Sequence, residues 1–263
     1  MTRISDKFKE LKKQGKKALI IFITAGDPNL STTEKLVYTL EKAGADIMEL
    51  GIPFSDPLAD GPTIQASHGR ALKAKVTTGD VIKLVSKIRK KSRIPIAFMA
   101  GYNLIMKYGI EKFVKDSVKA GADGVIVPDL PPEEAGELKS AAKGELDTIF
   151  LVAPTSTKER IKNVSESSTG FIYLISLTGI TGARKEVPHN VKALIVNLRK
   201  SSDKPIAVGF GISKPEHVRE VCQYADGAIV GSAIVSIIER NLGKAGLVKS
   251  VGRFVETLAR TCK

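Results

Sequence analysis

The chain reads as an α/β protein built on a single (β/α)8 TIM barrel, with an extra N-terminal helix and a short helix after the eighth strand. Three observations predict it. Eight short apolar runs recur along residues 1–263, helical patterns fill the gaps between them, and a similar glycine-containing join carries helix into strand more than once. The runs are Ala18–Thr24, Ala45–Ile52, Ile94–Met99, Gly124–Val127, Thr148–Ala153, Phe171–Ser176, Pro205–Phe210 and Gly227–Val230. They are nearly continuous rather than alternating, as parallel strands covered on both faces are. Between them, Leu36, Val37, Leu40 and Ala43 share one helical face, as do Ile110, Phe113, Val114 and Val118, and later Val251, Phe254, Val255 and Leu258. Ala43-Gly44-Ala45-Asp46 recurs as Ala120-Gly121-Ala122-Asp123 and, more loosely, as Tyr224-Ala225-Asp226-Gly227. Eight such units in this length match a barrel. No linker or low-complexity stretch divides them, so residues 1–263 are expected to form one domain. A doubly wound sheet is the main structural rival, but no Gly-x-Gly-x-x-Gly follows the first run.

Composition narrows the function. Hydrophobic content of 43% and charged content of 26% are those of a globular protein. No apolar stretch approaches a membrane span and the first residues do not resemble a secretory leader, so a cytoplasmic protein is expected. Cys222 and Cys262 have no metal-type spacing; Cys222 falls at helical spacing with Val218, Val221 and Ala225 and reads as a packed thiol in a reducing compartment. The net charge of +13 raises nucleic-acid binding. The densest basic runs, Lys12–Lys17 and Lys87–Arg93, sit at helix-to-strand joins without interleaved aromatics, and the chain has no Trp. They read as solvated helix ends, not a base-stacking platform, and no nucleic-acid partner is expected.

The second run carries the chemistry. Ile47, Glu49 and Gly51 alternate with Met48 and Leu50, so Glu49 has large apolar neighbours whichever face it takes, and burying an unpaired charge is costly. The following loop brings Asp56 and Asp60, broken by Pro53 and Pro57 and closed by Asp60-Gly61-Pro62. Glu49 could instead be a structural acid paired to an arginine, and Asp60 could simply shape the turn before a helix starting at Pro62. For Asp56 the turn reading is preferred. Two acids in unlike settings, one on a strand and one on a loop, form the pattern that divides acid from base roles.

In a barrel, segments that follow strands share one mouth, which gathers Asp27, the Glu49–Asp60 run, Tyr102-Asn103, Asp129, Thr155, Thr178–Arg184, Gly209-Phe210-Gly211 and Gly231-Ser232. The basic runs fall at the other end. Gly211 and Phe210 follow the seventh strand, and Gly231 and Ser232 follow the eighth and open a short helix. That is where barrels cradle phosphate, because glycine admits the backbone and a helix N-terminus presents free N–H groups. Thr178–Arg184, with Thr181 and Gly182, suits a lid, and a structural loop of ordinary mobility is the open alternative. Phe22, Met99, Ile126, Tyr173 and Phe210 each read as core residues, yet some should line a cavity for a flat substrate. His68, His189 and His217 show no metal-ligand spacing, and His68 reads as a surface polar residue.

The run Glu49-Leu50-Gly51-Ile52-Pro53-Phe54-Ser55-Asp56-Pro57-Leu58-Ala59-Asp60-Gly61-Pro62-Thr63-Ile64-Gln65 resembles the signature of the tryptophan synthase alpha subunit family. Phe22–Pro28, Val127–Pro131, Tyr173–Ser176, Gly179–Gly182, Gly209–Ser213 and Gly231–Val235 extend the resemblance, in order, across essentially the whole chain. Departures are Gly101, where a tyrosine is common, and Pro128, where some relatives carry a small residue.

The resemblance implies a carbon–carbon lyase that cleaves indole-3-glycerol phosphate to indole and glyceraldehyde 3-phosphate by a retro-aldol route, with no metal and no cofactor. Glu49 would protonate the indole C3 and take up the hydroxyl proton; Asp60 would face the ring N–H. Thr181 would help position Asp60, and Phe22, Ile64, Met99, Ile126 and Tyr173 would sandwich the indole. Groups near Gly182, Phe210, Gly211, Gly231 and Ser232 would hold the phosphate. The resemblance also implies a beta-subunit partner in an α2β2 complex, pyridoxal phosphate belonging to that partner. The alternatives are a non-catalytic subunit that activates its partner, or another phosphate-binding barrel aldolase or isomerase. A Schiff-base enzyme would need a lysine at the mouth, and none of the eight runs contains one.

Overall fold

The structure, a computed structural model, describes residues 2–57, 60–175, 189–209 and 211–262. Its strands are β1 (Ala18–Thr24), β2 (Ile47–Gly51), β3 (Ile96–Met99), β4 (Gly124–Ile126), β5 (Asp147–Ile149), β6 (Leu151–Val152), β7 (Ile172–Ile175), β8 (Ile206–Gly209) and β9 (Gly227–Val230). They lie in the order β5-β4-β3-β2-β1-β9-β8-β7-β6, and the paired neighbours are parallel. The two ends of that order, β5 and β6, are joined through Phe150 alone, so the sheet closes on itself. The expected run Thr148–Ala153 is thus one stave broken in the middle. Facing still alternates across the break, with Ile149 and Leu151 inward and Phe150 outward. What is interrupted is the ladder, where the stave passes from pairing with β4 to pairing with β7. A closed ring of eight staves excludes the doubly wound alternative.

Alternation sorts the side chains into two layers. Ile20, Ile47, Ala97, Ile126, Tyr173, Ala207 and Ile229 fill the lumen. Ile21, Met48, Leu50, Phe98, Leu174 and Val208 face outward into a shell of helices. The helices are α1 (Arg3–Lys13), α2 (Leu30–Lys42), α3 (Pro62–Lys73), α4 (Thr78–Ile88), α5 (Tyr102–Tyr108), α6 (Ile110–Ala120), α7 (Gly136–Ala142), α8 (Lys158–Ser167), α9 (His189–Ser201), α10 (Pro215–Tyr224), α11 (Ser232–Arg240) and α12 (Leu247–Cys262). The expected extra helices are α1 and α11. Ile4, Phe8 and Leu11 of α1 join the lumen cluster, with the Phe8 and Phe171 rings 5.7 Å apart. α1 therefore plugs the end of the barrel where the strands begin.

The repeated joins have a shared function at that same end. The Asp46 N–H donates to the Leu19 carbonyl (2.8 Å) while the Leu19 N–H donates to the Asp46 carboxylate (2.9 Å). Asp123 makes the same two-way clasp with Ile96, and Asp226 with Ile206. Each aspartate supplies an acceptor to a neighbouring stave, which a buried N–H needs. One basic residue departs from the expected solvated role. Arg89 turns under the barrel, donating to the carbonyls of Gly121 (2.7 Å) and Ile94 (2.6 Å) and to the Asp123 carboxylate (2.8 Å). Lys12, Lys13, Lys90 and Lys91 stay exposed, as expected. Cys222 packs on the core as expected, its Sγ 3.0 Å from that of Cys262 on α12. Among the described residues no helix is long and apolar enough to cross a membrane.

Candidate active site

With α1 closing one end, the lumen opens where the strands finish. Glu49 is in phase with Ile47, which lies in the lumen cluster, and out of phase with Met48 and Leu50, which face the helices. Its side chain therefore points inward. It is fully buried, and neither carboxylate oxygen has a hydrogen-bond partner among the described residues. Burial pushes its pKa up to about 8, because nothing nearby compensates the lost hydration of the charge. A structural acid would be paired, as Asp123 is with Arg89 (2.8 Å). Among the described residues Glu49 has no such partner.

Phe22 stands beside Glu49 in register across β1 and β2, and Ala97 beside it on β3. Tyr173 lies opposite in the ring. Its phenol pKa is raised well above the ordinary value by burial first, then by the charges of Glu49 and Asp60, so its hydroxyl stays protonated. Ile126 is fully buried in the same lumen, while Met99 is partly exposed toward its mouth. Ile64, in the first turn of α3, is also partly exposed. These surfaces give Glu49 an apolar setting below the mouth.

Asp60 sits just before α3, which begins at Pro62 as the turn chemistry predicts. Its N–H donates to the Pro57 carbonyl (3.0 Å), and Gln65 Nε2 donates to its carbonyl (2.8 Å). Its carboxylate is 3.4 Å from His68 Nε2. His68 corrects an expectation: it is not a surface residue but is 5% exposed, held by the Phe54 N–H donating to its Nδ1 (3.1 Å). A position eight residues past Asp60 puts its side chain back over the loop, a return that only the folded loop reveals. Asp56 is exposed.

The other mouth positions divide into supports and openings. Asp27 is buried and grips Arg70 of α3 through Nε (2.7 Å) and Nη2 (2.9 Å), while Arg70 Nη1 reaches Glu239 of α11 (2.9 Å). Asp129 accepts the Tyr102 N–H at the start of α5 (3.0 Å), and Thr155 is exposed. Gly211 is exposed at φ +60, a conformation glycine favours. Gly231 is the N-cap of α11 with no side-chain cap, so that helix end is left open for an anion, with Ser232 exposed beside it. Thr178–Arg184, including Thr181 and Gly182, and Phe210 lie outside the described residues. Two clefts found among the described residues lie elsewhere, one of about 490 Å³ against α1 and one of about 420 Å³ beside α8, and neither is lined by Glu49 or Asp60.

A buried acid with no partner among the described residues, a second acid on the loop after its strand and an uncapped helix end can be compared with known proteins. The family model for the tryptophan synthase alpha chain matches residues 8–262. The chain belongs to that family. The tryptophan synthase alpha chain of Geobacter sp. (strain M21) is 51% identical over 259 residues, covering 98% of this chain and 97% of that protein. That of Caldanaerobacter subterraneus subsp. tengcongensis (strain DSM 15242 / JCM 11007 / NBRC 100824 / MB4) is 52% identical, with 98% of each covered. Among solved structures, the alpha subunit from Legionella pneumophila str. Paris superposes with a TM-score of 0.92 at 38% identity, covering 100% of this chain and 98% of that one. Tryptophan synthase from M. tuberculosis in an aminoacrylate-bound form gives 0.90 at 31% identity, with 100% of each chain covered. Membership makes the chain a lyase of the alpha reaction in tryptophan biosynthesis and implies a beta-subunit partner.

Proposed function

We propose that this chain cleaves indole-3-glycerol phosphate to indole and glyceraldehyde 3-phosphate, with Glu49 as general acid and base and Asp60 as the carboxylate at the ring nitrogen. The protonated Glu49 delivers its proton to indole C3, which turns the C2–N1 unit into an electron sink. The Asp60 carboxylate faces N1–H and balances the positive charge that develops there. Glu49, now ionised in an apolar wall, is a strong base and takes the hydroxyl proton of the glyceryl chain. The carbonyl forms, the C3–carbon bond breaks, and its electrons restore the C2–C3 double bond of indole. Phe22, Ile64, Met99, Ile126 and Tyr173 enclose the ring, with Thr181 helping to position Asp60. The open end of α11 at Gly231 and Ser232, with Gly211, Phe210 and Gly182, holds the phosphate. The observation that carries this reading is the buried Glu49 carboxyl, which has no partner among the described residues.

Acids and ring supply every proton movement, so the chain needs no cofactor of its own, and pyridoxal phosphate belongs to the beta subunit. Residues 1–263 act as one cytoplasmic domain within an α2β2 complex, where indole, small and apolar, is handed directly to the partner. The test is indole release from indole-3-glycerol phosphate by the chain with and without beta subunit, for the wild type, Glu49→Gln and Asp60→Asn. A purely activating subunit would release none, and unimpaired variants would overturn the residue roles.

A further inference from the structure

One imidazole on α3 meets the Asp60 loop twice, by a hydrogen bond at Phe54 and by a close approach to the Asp60 carboxylate. Phe54 N–H donates to His68 Nδ1 at 3.1 Å, so that nitrogen carries a lone pair and the ring proton of neutral histidine lies on Nε2. Nε2 is the atom that faces Asp60 Oδ2, at 3.4 Å. The His68 side chain is 6% exposed and the Asp60 side chain 29%, so a fixed ring meets a carboxylate that would otherwise be free to turn in water. Phe54 is itself held: its ring packs over Gly101, where a β-carbon would lie 3.1 Å from it.

We propose that His68 is a positioning residue for the reaction, its Nε2–H holding Asp60 Oδ2 so that Oδ1 is presented to the substrate's ring N–H. The inference rests on the reading of Asp60 given above. A neutral donor suits the task better than a lysine or arginine would. It fixes one oxygen without neutralising the charge that the ring nitrogen needs opposite it. It also stands on a helix, which holds geometry more closely than a loop. Phe54 at one end of the loop sets the tautomer of the ring, and the ring meets the carboxylate at the other end, so the two contacts act as a single device.

Two amide substitutions take the device apart. In His68→Asn the side-chain oxygen can replace Nδ1 and keep the Phe54 anchor, but no donor reaches Asp60. In His68→Gln the amide nitrogen can replace Nε2 and keep the Asp60 contact. With indole release measured in the presence of beta subunit, His68→Asn is expected to lower kcat on the order of tenfold to a hundredfold, the cost of a misplaced catalytic group. Its KM should stay within about twofold, since binding is not what is lost. His68→Gln should restore most of kcat. In an Asp60→Asn background, His68→Asn should add nothing, because the group it positions is gone. A full-rate His68→Asn beside an impaired Asp60→Asn overturns the inference alone. His68→Gln as slow as His68→Asn also overturns it, by showing that the ring only supports the loop. An unimpaired Asp60→Asn overturns the reading of Asp60, and the inference falls with it.

Discussion

A β-carbon on Gly51 would lie 2.7 Å from Cζ of Phe22. The aromatic ring occupies the space a side chain would need at the end of β2, one inward position beyond Glu49. The same residue comes within 3.4 Å of where a β-carbon on Gly231 would stand. Phe22 therefore spans from the acid strand to the open end of α11, and glycine at both places lets it do so. It forms a floor between the acid and the N-terminus of α11.

The first prediction follows from that floor. Gly51→Ala should cost about 1–3 kcal/mol of stability by overpacking and should lower kcat/KM by displacing the ring beside Glu49. Urea unfolding and indole-release kinetics check it. Adding Phe22→Leu should recover stability, because the colliding edge is gone, without recovering activity. A Gly51→Ala chain with wild-type stability and rate would show that the ring moves aside freely.

Glu49→Gln removes the proton and keeps the shape. Turnover should fall on the order of 10²–10⁴-fold with KM little changed, as for loss of a general acid and base. Steady-state indole release at saturating substrate reads it directly. A drop confined to KM would make Glu49 a binding group.

On the proposed mechanism Glu49 enters the reaction protonated, and burial lifts its pKa to about 8. The profile of kcat/KM, which reports the free enzyme, should hold through neutral pH and fall above about 8. An ordinary carboxylate would put its transition several units lower. Kinetics between weakly acid and strongly alkaline buffers, with the beta subunit's own response subtracted, locates the limb.

The positions that sequence made legible are those whose meaning is local. Glu49 stands out because a carboxylate interrupts an apolar run, and alternation places it on the face of Ile47 and Gly51. The end of the helix pattern at Gly121 and the start at Pro62 are likewise written in adjacent residues. What sequence left hidden depends on partners far along the chain. Arg89 belongs to a basic run, and Asp123, 34 residues on, with the Gly121 and Ile94 carbonyls, draws it under the barrel. His68 looks like one polar residue on a helix until the loop returns Phe54 and Asp60 to its two nitrogens. The break at Phe150 is invisible because facing continues unbroken; only the change of pairing neighbour marks it.

The last prediction concerns stability. The folded state keeps the Glu49 proton up to about pH 8, whereas in the unfolded chain the group titrates near its ordinary value of 4.5. Between those limits the folded state binds the extra proton, so unfolding releases one and stability falls as pH rises. The loss runs at about 1.4 kcal/mol per pH unit and levels off above the folded pKa, where both states are ionised. Glu49→Gln cannot titrate and lacks this slope, while every other group is common to both proteins. The difference in unfolding free energy, variant minus wild type, should therefore grow by about 2–3 kcal/mol from pH 5.5 to 7.5, in favour of the variant. The offset at acid pH measures what the amide itself costs in that cavity; only the slope reports the proton. Urea titrations of both proteins across that range give the slope, and parallel curves would mean that Glu49 ionises in the fold as readily as in water.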